Sequence, residues 1–403
     1  MERLDNKCVV LGVTGGIAAY KMANVASALR KRGCDVHVIM TKNATEFISP
    51  LTFETLTNNR CVVDTFDRDY KFEVTHISLA KAADLIMVAP ATANVIAKMA
   101  NGIADDMLTT VVLAAKCKKL VAPAMNTAML ENPITQNNIE KLKSYDFKVI
   151  DSVTGMLACK DVGAGKLPEP ESLVEEIEYE LAHEKDLTGL NITVTAGPTQ
   201  EAIDPVRYIT NHSTGKMGYA IAKDAMLRGA NVTLISGKVA LEDIPRVKMV
   251  HVVSAEDMFN AVKESLDTTD ILIKSAAVAD YKPVTVADNK IKKSDTDMSI
   301  PLARTQDILG YVAQHRHENM LVCGFSMETE NMLDNSRKKL EKKKLDLIVA
   351  NNVKVEGAGF GVSTNIVTII TNDSCTELPL LTKDEVGMRI LDKIKDIRND
   401  SAN

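Results

Sequence analysis

The chain has 403 residues with a formal net charge of -6, 45% hydrophobic and 25% charged residues, enough for two ordinary domains, each with its own core. The acidic balance and the absence of Trp argue against a nucleic-acid surface, and no apolar run nears the ~18 residues of a membrane span. Seven scattered cysteines without a CxxC pair and an N-terminus lacking a signal peptide's apolar core point to reduced thiols in the cytoplasm, with neither a disulfide frame nor a zinc site.

The first half opens with a strand over 8–13, a glycine turn, and a helix over 17–31 stopped by Arg32-Gly33, Gly being the usual residue just past a helix end. A strand over 35–40 ends at Thr41. The run 83–90 is nearly all apolar, as a buried parallel strand requires. Helices over 94–99 and 107–117, a strand over 119–122 and the turn Pro123-Ala-Met-Asn126 follow. Between the halves, 163–167 reads as a glycine-rich loop, 168–183 as a Glu-rich helix and 184–189 as a polar connector. The boundary is placed near Asp186, giving domains over 1–186 and 187–403.

The second half repeats the plan, with a strand over 192–195, a helix over 219–227 ended by Arg228-Gly229, and a strand over 232–236. The stretch Asp270-Ile-Leu-Ile-Lys-Ser-Ala-Ala-Val278 and strands over 321–325, 345–350 and 366–371 complete it. Strands alternating with helices predict an α/β chain of two doubly wound, mostly parallel-sheet domains in tandem, Rossmann-like or flavodoxin-like. Ligands then sit at the carboxyl ends of the strands.

Gly12-Val-Thr-Gly-Gly-Ile-Ala-Ala-Tyr-Lys21 lacks the GxGxxG spacing of a dinucleotide site. A hydroxyl beside two glycines at a helix start suits one phosphate better than a pyrophosphate, so a monophosphate nucleotide such as FMN fits; an ordinary tight turn is the competing reading. Pro90-Ala-Thr92-Ala-Asn94 follows the buried strand, where its Thr and Asn could cap the next helix or contact a ring and phosphate. His76, Asn126 and Cys159 are weak signals singly. Cys159 lies in a loop beside Lys160, which favours a thiolate or a proton-shuttling thiol. Asn211-His-Ser-Thr-Gly-Lys-Met-Gly218 is no Walker P-loop, since Thr210 replaces the leading Gly and Met217 the Mg²⁺-holding hydroxyl. Asp280 with Lys290-Ile-Lys-Lys293 could hold a metal-bound triphosphate or form a solvated charged face. The lysines of 338–344 have the same two readings.

Taken together, the motifs form a pattern. Thr14-Gly15-Gly16-Ile17-Ala-Ala-Tyr-Lys, Pro-Ala-Thr-Ala-Asn, His76, Pro-Ala-Met-Asn126 and Ala-Cys159 resemble the homo-oligomeric flavin-containing cysteine decarboxylases. Thr-Ala-Gly-Pro-Thr-Gln-Glu, Arg207, Asn211-His-Ser-Thr-Gly-Lys-Met-Gly, Ala-Ala-Val-Ala-Asp280-Tyr and Lys290-Ile-Lys-Lys resemble the phosphopantothenate–cysteine ligases. Both in one chain resemble the bacterial bifunctional proteins of coenzyme A biosynthesis. Lys160 stands where that family usually has Gly, and Thr305-Gln306 where Asn-Pro is commoner.

The resemblance implies a bifunctional enzyme using FMN and Mg²⁺. In the second half, 4′-phosphopantothenate would attack CTP to give an acyl-cytidylate and pyrophosphate, and cysteine's amine would displace CMP. Lys290 and Asp280 would contact the triphosphate. Ala276, Val278, Thr305, Gln306, Asp307, Ile308, Phe325, Lys339 and Lys343 map onto nucleotide or substrate positions, and Asn211 and Arg207 would handle the acid substrate and the acyl intermediate. The metal ligands are left unassigned. In the first half, FMN would provide the electron sink that a simple cysteine carboxylate lacks, bound through Thr14, Gly15, Gly16, Ile17, Thr41, Pro90, Thr92 and Asn94. Asn126 would hold the carboxylate, His76 would assist oxidation and decarboxylation, and Cys159 would donate the proton. The partners are small molecules, with neither nucleic acid nor membrane, in a homo-oligomer: a dodecamer of trimeric flavin domains with dimeric ligase domains. Competing readings are a non-catalytic flavoprotein-like regulatory or scaffold subunit, which would need none of His76, Asn126 and Cys159, and a nicotinamide-dependent reductase, which lacks its GxGxxG.

Overall fold

The computed structural model describes residues 4–66, 75–156, 162–293, 297–328, 331–352, 359 and 361–402. The chain divides into two compact units, Met1–His183 and Glu184–Asn403.

In the first unit, strands β1 (Cys8–Val13), β2 (Asp35–Met40), β3 (Leu85–Ala91), β4 (Lys118–Pro123) and β5 (Phe147–Val149) form one sheet in the order β2-β1-β3-β4-β5. Every neighbouring pair is parallel. This is the flavodoxin-like order, whose switch point lies between β1 and β3. Helices α1 (Lys21–Lys31), α2 (Pro50–Thr57), α3 (Thr75–Ala82), α4 (Ala93–Ala100), α5 (Met107–Ala114), α6 (Thr127–Leu130), α7 (Pro133–Ser144) and α8 (Pro170–Leu181) complete it. β3 is buried along its whole length, which explains its unbroken apolar sequence. Alternate residues of β1 go to opposite faces: Val9, Leu11 and Val13 join Met22 and Leu29 of α1 and Ile177 of α8, while Val10 joins Ile96 of α4 and Val111 of α5.

Two local expectations change. The helix predicted over 17–31 starts as a 3₁₀ turn, Ile17–Tyr20, before α1. The stretch read as a glycine-rich loop over 163–167 is instead strand β7 (Val162–Lys166), paired antiparallel with β6 (Val153–Met156). Its glycines permit close backbone approach: at Gly165, φ is +120° and a Cβ would lie 2.2 Å from the Met125 carbonyl oxygen. Met125 N–H donates to Gly165 O at 3.0 Å and the Thr127 hydroxyl to Ala164 O at 2.7 Å.

The second unit begins before its first strand. Asp186, in the polar connector, accepts from the Arg228 guanidinium at 2.8 and 2.7 Å and from Lys395 at 2.7 Å. These contacts pull its carboxyl down to about 2, Arg228 contributing most. Residues after His183 are thus fastened to the second core.

Its strands are β8 (Asn191–Ala196), β9 (Gln200–Ala202), β10 (Tyr208–Thr210), β11 (Asn231–Ser236), β12 (Lys248–His251), β13 (Ile271–Lys274), β14 (Tyr281–Pro283), β15 (Leu302–Arg304), β16 (Leu321–Glu328), β17 (Leu347–Asn352), β18 (Thr364–Asn365), β19 (Val367–Ile370), β20 (Cys375–Glu377) and β21 (Leu381–Thr382). Its helices are α9 (Lys216–Leu227), α10 (Ala255–Ser265), α11 (Ile308–His315), α12 (Met332–Lys342) and α13 (Lys383–Ala402). The main sheet runs β12-β11-β8-β13-β16-β17-β19-β20. It is parallel through β17, and β19 and β20 are antiparallel additions. Among the described residues, no helix is long and apolar enough to cross a membrane.

Candidate functional sites

The first unit carries a cavity of about 630 Å³ at the carboxyl ends of β1 and β4, walled by Ile17, Tyr20, Met125, Met129 and Leu167 and floored by Gly15 and Gly16. The turn after β1 is braced from below. The Thr14 hydroxyl, fully buried, donates to Pro90 O at 2.6 Å and accepts from Thr92 N–H at 3.1 Å. This ties the first strand's turn to the third strand's, across the switch point. At Gly15 a Cβ would lie 2.5 Å from the Asn43 Cβ, while one on Gly16 would meet nothing nearer than 3.8 Å. The backbone is therefore packed on one side and open on the other. Gly16 caps the 3₁₀ turn without any side-chain bond, leaving a helix start facing open space.

Thr92 accepts from Val95 N–H at 3.4 Å and so caps α4; it also lines the cavity. Asn126 lines it as well and accepts from Ala128 N–H at 2.9 Å. Thr41, Pro90 and Asn94 lie outside the lining: Thr41 donates its N–H to Val13 O at 3.0 Å, and Pro90 acts through Thr14. His76, half-buried on α3, is not among the lining residues either. Cys159 falls outside the described residues. Lys21, not singled out from sequence, lies in the wall and bonds Glu169 at 2.9 Å.

The second unit has two adjoining cavities at the carboxyl ends of β13 and β16, of about 390 and 460 Å³, which share Lys274, Val278, Asp280 and Lys339. The larger is lined by Thr305, Gln306, Asp307, Ile308 and Lys343. Asp307 caps α11 through Gly310 N–H at 3.0 Å and pairs with Lys343. Burial raises its carboxyl's pKa, but the Lys343 contact, the Gly310 N–H and the charge of Lys274 together outweigh this and hold it below the ordinary range. The Thr305 hydroxyl donates to Ala279 O at 2.6 Å, and its N–H to Asp280 O at 3.0 Å. Lys339 reaches from α12 to Phe325 O at 2.8 Å.

The smaller cavity holds Asn211, whose side-chain amide donates to Ala277 O at 3.0 Å, with Ala276 and Phe325 nearby. Two predicted residues stay out of both linings, Lys290 and Arg207. They are instead joined to each other's segments. Arg207 donates to Asp204 and, at 2.8 Å, to Ile291 O, while Ile291 N–H donates to Asp204 at 3.0 Å. The Arg207 guanidinium and these backbone donors hold the Asp204 carboxyl far below its usual range.

Sequence reading missed three cavity lysines. Lys274 ends the buried strand β13; burial and the Lys339 charge push its ammonium down to about 8, with Asp280 and Asp307 opposing. Lys383, only 7% exposed at the start of α13, is pushed down to about 8 by burial and by Lys216. Lys216 and Lys383 both line the smaller cavity. A charge in the middle of the stretch 271–278, otherwise without charge, was the available signal for Lys274, since a charge rarely enters a core strand.

An open glycine turn beside an apolar cavity in one unit, and lysine-lined cavities in the other, make a tandem of a flavodoxin-like domain and a second α/β domain with a charged pocket. Two family models match accordingly: "Flavoprotein" over residues 1–182 and "DNA/pantothenate metabolism flavoprotein C-terminal domain" over residues 187–397. The chain is 50% identical over 396 residues to the Coenzyme A biosynthesis bifunctional protein CoaBC of Bacillus subtilis (strain 168), covering 97% of both chains. It is 45% identical over 397 residues to the protein of that name from Vibrio vulnificus (strain CMCP6), covering 98% of this chain and 99% of that one. A crystal structure of the C-terminal domain of a Coenzyme A biosynthesis bifunctional protein CoaBC aligns with 43% identity and a TM-score of 0.47, covering 54% of this chain and 100% of that one. The chain belongs to the family of bifunctional coenzyme A biosynthesis proteins.

Proposed function

We propose that the second unit joins cysteine to 4′-phosphopantothenate at the expense of CTP, and that the first decarboxylates the product to 4′-phosphopantetheine, in the cytoplasm. The carrying observation is that each unit has its own cavity at the carboxyl edge of its own parallel sheet, in a chain alignable nearly end to end with bifunctional coenzyme A biosynthesis proteins.

In the ligase unit, Asn211, fixed on Ala277 O, presents its amide to the acyl group. Lys274, Lys339 and Lys343 converge on the space where a triphosphate's charge must be neutralised. Among the described residues, no group of three acidic, His or Cys ligands lies at these cavities. A cation there draws most of its ligands from phosphates and water, with Asp280 the carboxylate available to both cavities; this donor set suits Mg²⁺. Mg²⁺ would shield the phosphates from the attacking carboxylate. Lys290 and Arg207 reach the substrates from the segments tied at Asp204.

In the decarboxylase unit the residues present fit FMN. The open backbone at Gly16 faces an uncapped helix start suited to one phosphate, and the apolar walls suit a flat ring. The flavin would supply the electron sink for loss of CO₂. Thr14 and Thr92 hold the turn in shape, Asn126 orients the substrate carboxylate, and Cys159 returns a proton to the product carbon. Because His76 stands outside its own cavity's lining while Ile17, Tyr20 and Met129 expose 59, 56 and 50% of their surface at the rim, we infer a homo-oligomer in which a neighbour's His76 completes the site. The resemblance makes this a trimer of flavin domains within a dodecamer.

The test is to supply CTP, cysteine and 4′-phosphopantothenate to purified protein and to measure CMP and CO₂. Yellow protein releasing the two in equal amounts is expected. Colourless protein that takes up no flavin, or CTP that remains intact, would refute the reading.

A further inference from the structure

At the amino edge of the first sheet, the end away from that unit's cavity, the fold gathers three residues that the sequence scatters. Cys8 opens β1 and pairs in parallel register with Asp35, which opens β2. Residues two apart on a strand share a face, so His37 stands on the same side as Asp35. The Cys8 sulfur, an Asp35 carboxylate oxygen and a His37 ring nitrogen all lie within 4.8 Å of one another. A tetrahedral Zn²⁺ with bonds of about 2.0–2.3 Å sets its ligands roughly 3.3–3.8 Å apart, so small side-chain rotations close the set.

The three are also held from outside, as metal ligands usually are. The Asn59 amide donates to Asp35 Oδ1 at 2.8 Å and to Val36 O at 2.9 Å, which leaves Oδ2 turned to His37 Nε2 at 3.0 Å. Arg30 stays on the Oδ1 side, 4.0 Å away, with its guanidinium anchored to Cys34 O at 2.9 Å. Cys8 N–H donates to Asp84 Oδ2 at 2.7 Å and Asp84 N–H to Cys8 O at 2.9 Å, so Cys8 is fastened from the β3 side as well.

Burial, then the charges of Asp35 and Asp84, push the Cys8 thiol up to about 12. A thiol beside two carboxylates is badly placed to ionise alone and well placed to ionise onto a divalent cation, whose charge reverses the repulsion. Thiolate and imidazole favour Zn²⁺ over Mg²⁺ or Ca²⁺.

We propose that Cys8, Asp35 and His37 form a Zn²⁺ site, with water as the fourth ligand, that clamps the starts of β1 and β2 together. On binding, the Cys8 S–H bond breaks, an S–Zn bond forms and the proton passes to solvent. Thiolate and carboxylate then balance the ion's charge. The six residues of β1 separate the site from the cavity by roughly 16–20 Å, so the ion stabilises the first unit and takes no part in its chemistry. Scattered cysteines without a CxxC pair predict no zinc site; strand pairing supplies the proximity that spacing does not.

The experiment equilibrates the full-length protein with micromolar free Zn²⁺ and excess Mg²⁺, which keeps oxygen-only sites filled, and measures bound zinc and its X-ray absorption. One equivalent should bind, with one sulfur at about 2.3 Å and nitrogen and oxygen ligands at about 2.0–2.2 Å. Cys8→Ser and His37→Gln should each weaken binding by more than the roughly 10–100-fold that loss of an outer partner costs. Cys375→Ser, which removes an exposed thiol of the second unit, should keep the full equivalent. Zinc should raise the melting temperature of the wild type and leave that of Cys8→Ser unchanged. No bound zinc, a shell without sulfur, or a sulfur-containing shell that survives Cys8→Ser overturns the proposal and leaves Asp35 and His37 as an ordinary hydrogen-bonded pair. The wild-type spectrum is decisive even if a variant fails to fold.

Discussion

The two units start from nearly the same scaffold and reach opposite kinds of pocket. In the first, β1 hands over to a turn whose backbone is exposed on one side and braced on the other by Thr14, and the walls are apolar. In the second, the ends of β13, β16 and β17, the starts of α9 and α13 and the last turn of α12 bring lysines and amides to the same edge. One pocket is walled by apolar surface, the other by charge. The difference lies in the residues that follow each strand and not in the sheets, as expected where loops at the carboxyl edge carry function.

If that contrast holds, damage to one pocket should leave the other working. The largest effect is expected from Lys339→Gln, which removes an ammonium shared by both second-unit cavities. Loss of a hydrogen bond to a charged group, about 1.5–3 kcal/mol, should lower ligation roughly 10- to 100-fold. Decarboxylation of supplied 4′-phosphopantothenoylcysteine should continue at the wild-type rate, and a parallel loss would break the comparison. Gly15→Ala probes the apolar pocket. With a Cβ 2.5 Å from Asn43, the turn must shift at a cost of about 1–3 kcal/mol; flavin titration of the apoprotein should show weaker binding, with CTP turnover untouched.

The smallest effect concerns the connector. Asp186 is ionised with a folded value of about 2, against roughly 3.9 in an unfolded chain. A depressed carboxyl stabilises above the unfolded value, and that stability is lost as pH falls through the folded one. Asp186→Asn should therefore cost about 1 kcal/mol at neutral pH, allowing for solvent screening. The deficit should show as a slightly lower melting temperature of the second unit that closes between pH 4 and about 2. An equal deficit at low pH would show that packing, not charge, fastens the connector.

Much of this was legible in the chain itself. A strand such as β3 is a continuous apolar run because both faces are covered, and glycines mark where β1 and β8 turn. The short pairs β9–β10, β14–β15 and β18–β21 were not legible, because two or three residues carry no periodicity. Residues 163–167 misled because glycines that permit close packing look the same in sequence as glycines that permit a loop. Of the site, Asn211, Asp280, 305–308, Phe325, Lys339 and Lys343 came together. Lys383 was invisible, since it opens an ordinary polar helix. Only the fold brings it to the cavity that Asn211 lines.

The Asp204 carboxylate gathers Val206 N–H, Arg207 and Ile291 N–H into one knot, and this has a mechanical consequence. Arg207 and the backbone beside Lys290 are thereby fastened to one carboxylate, so a displacement of either segment would be felt by the other.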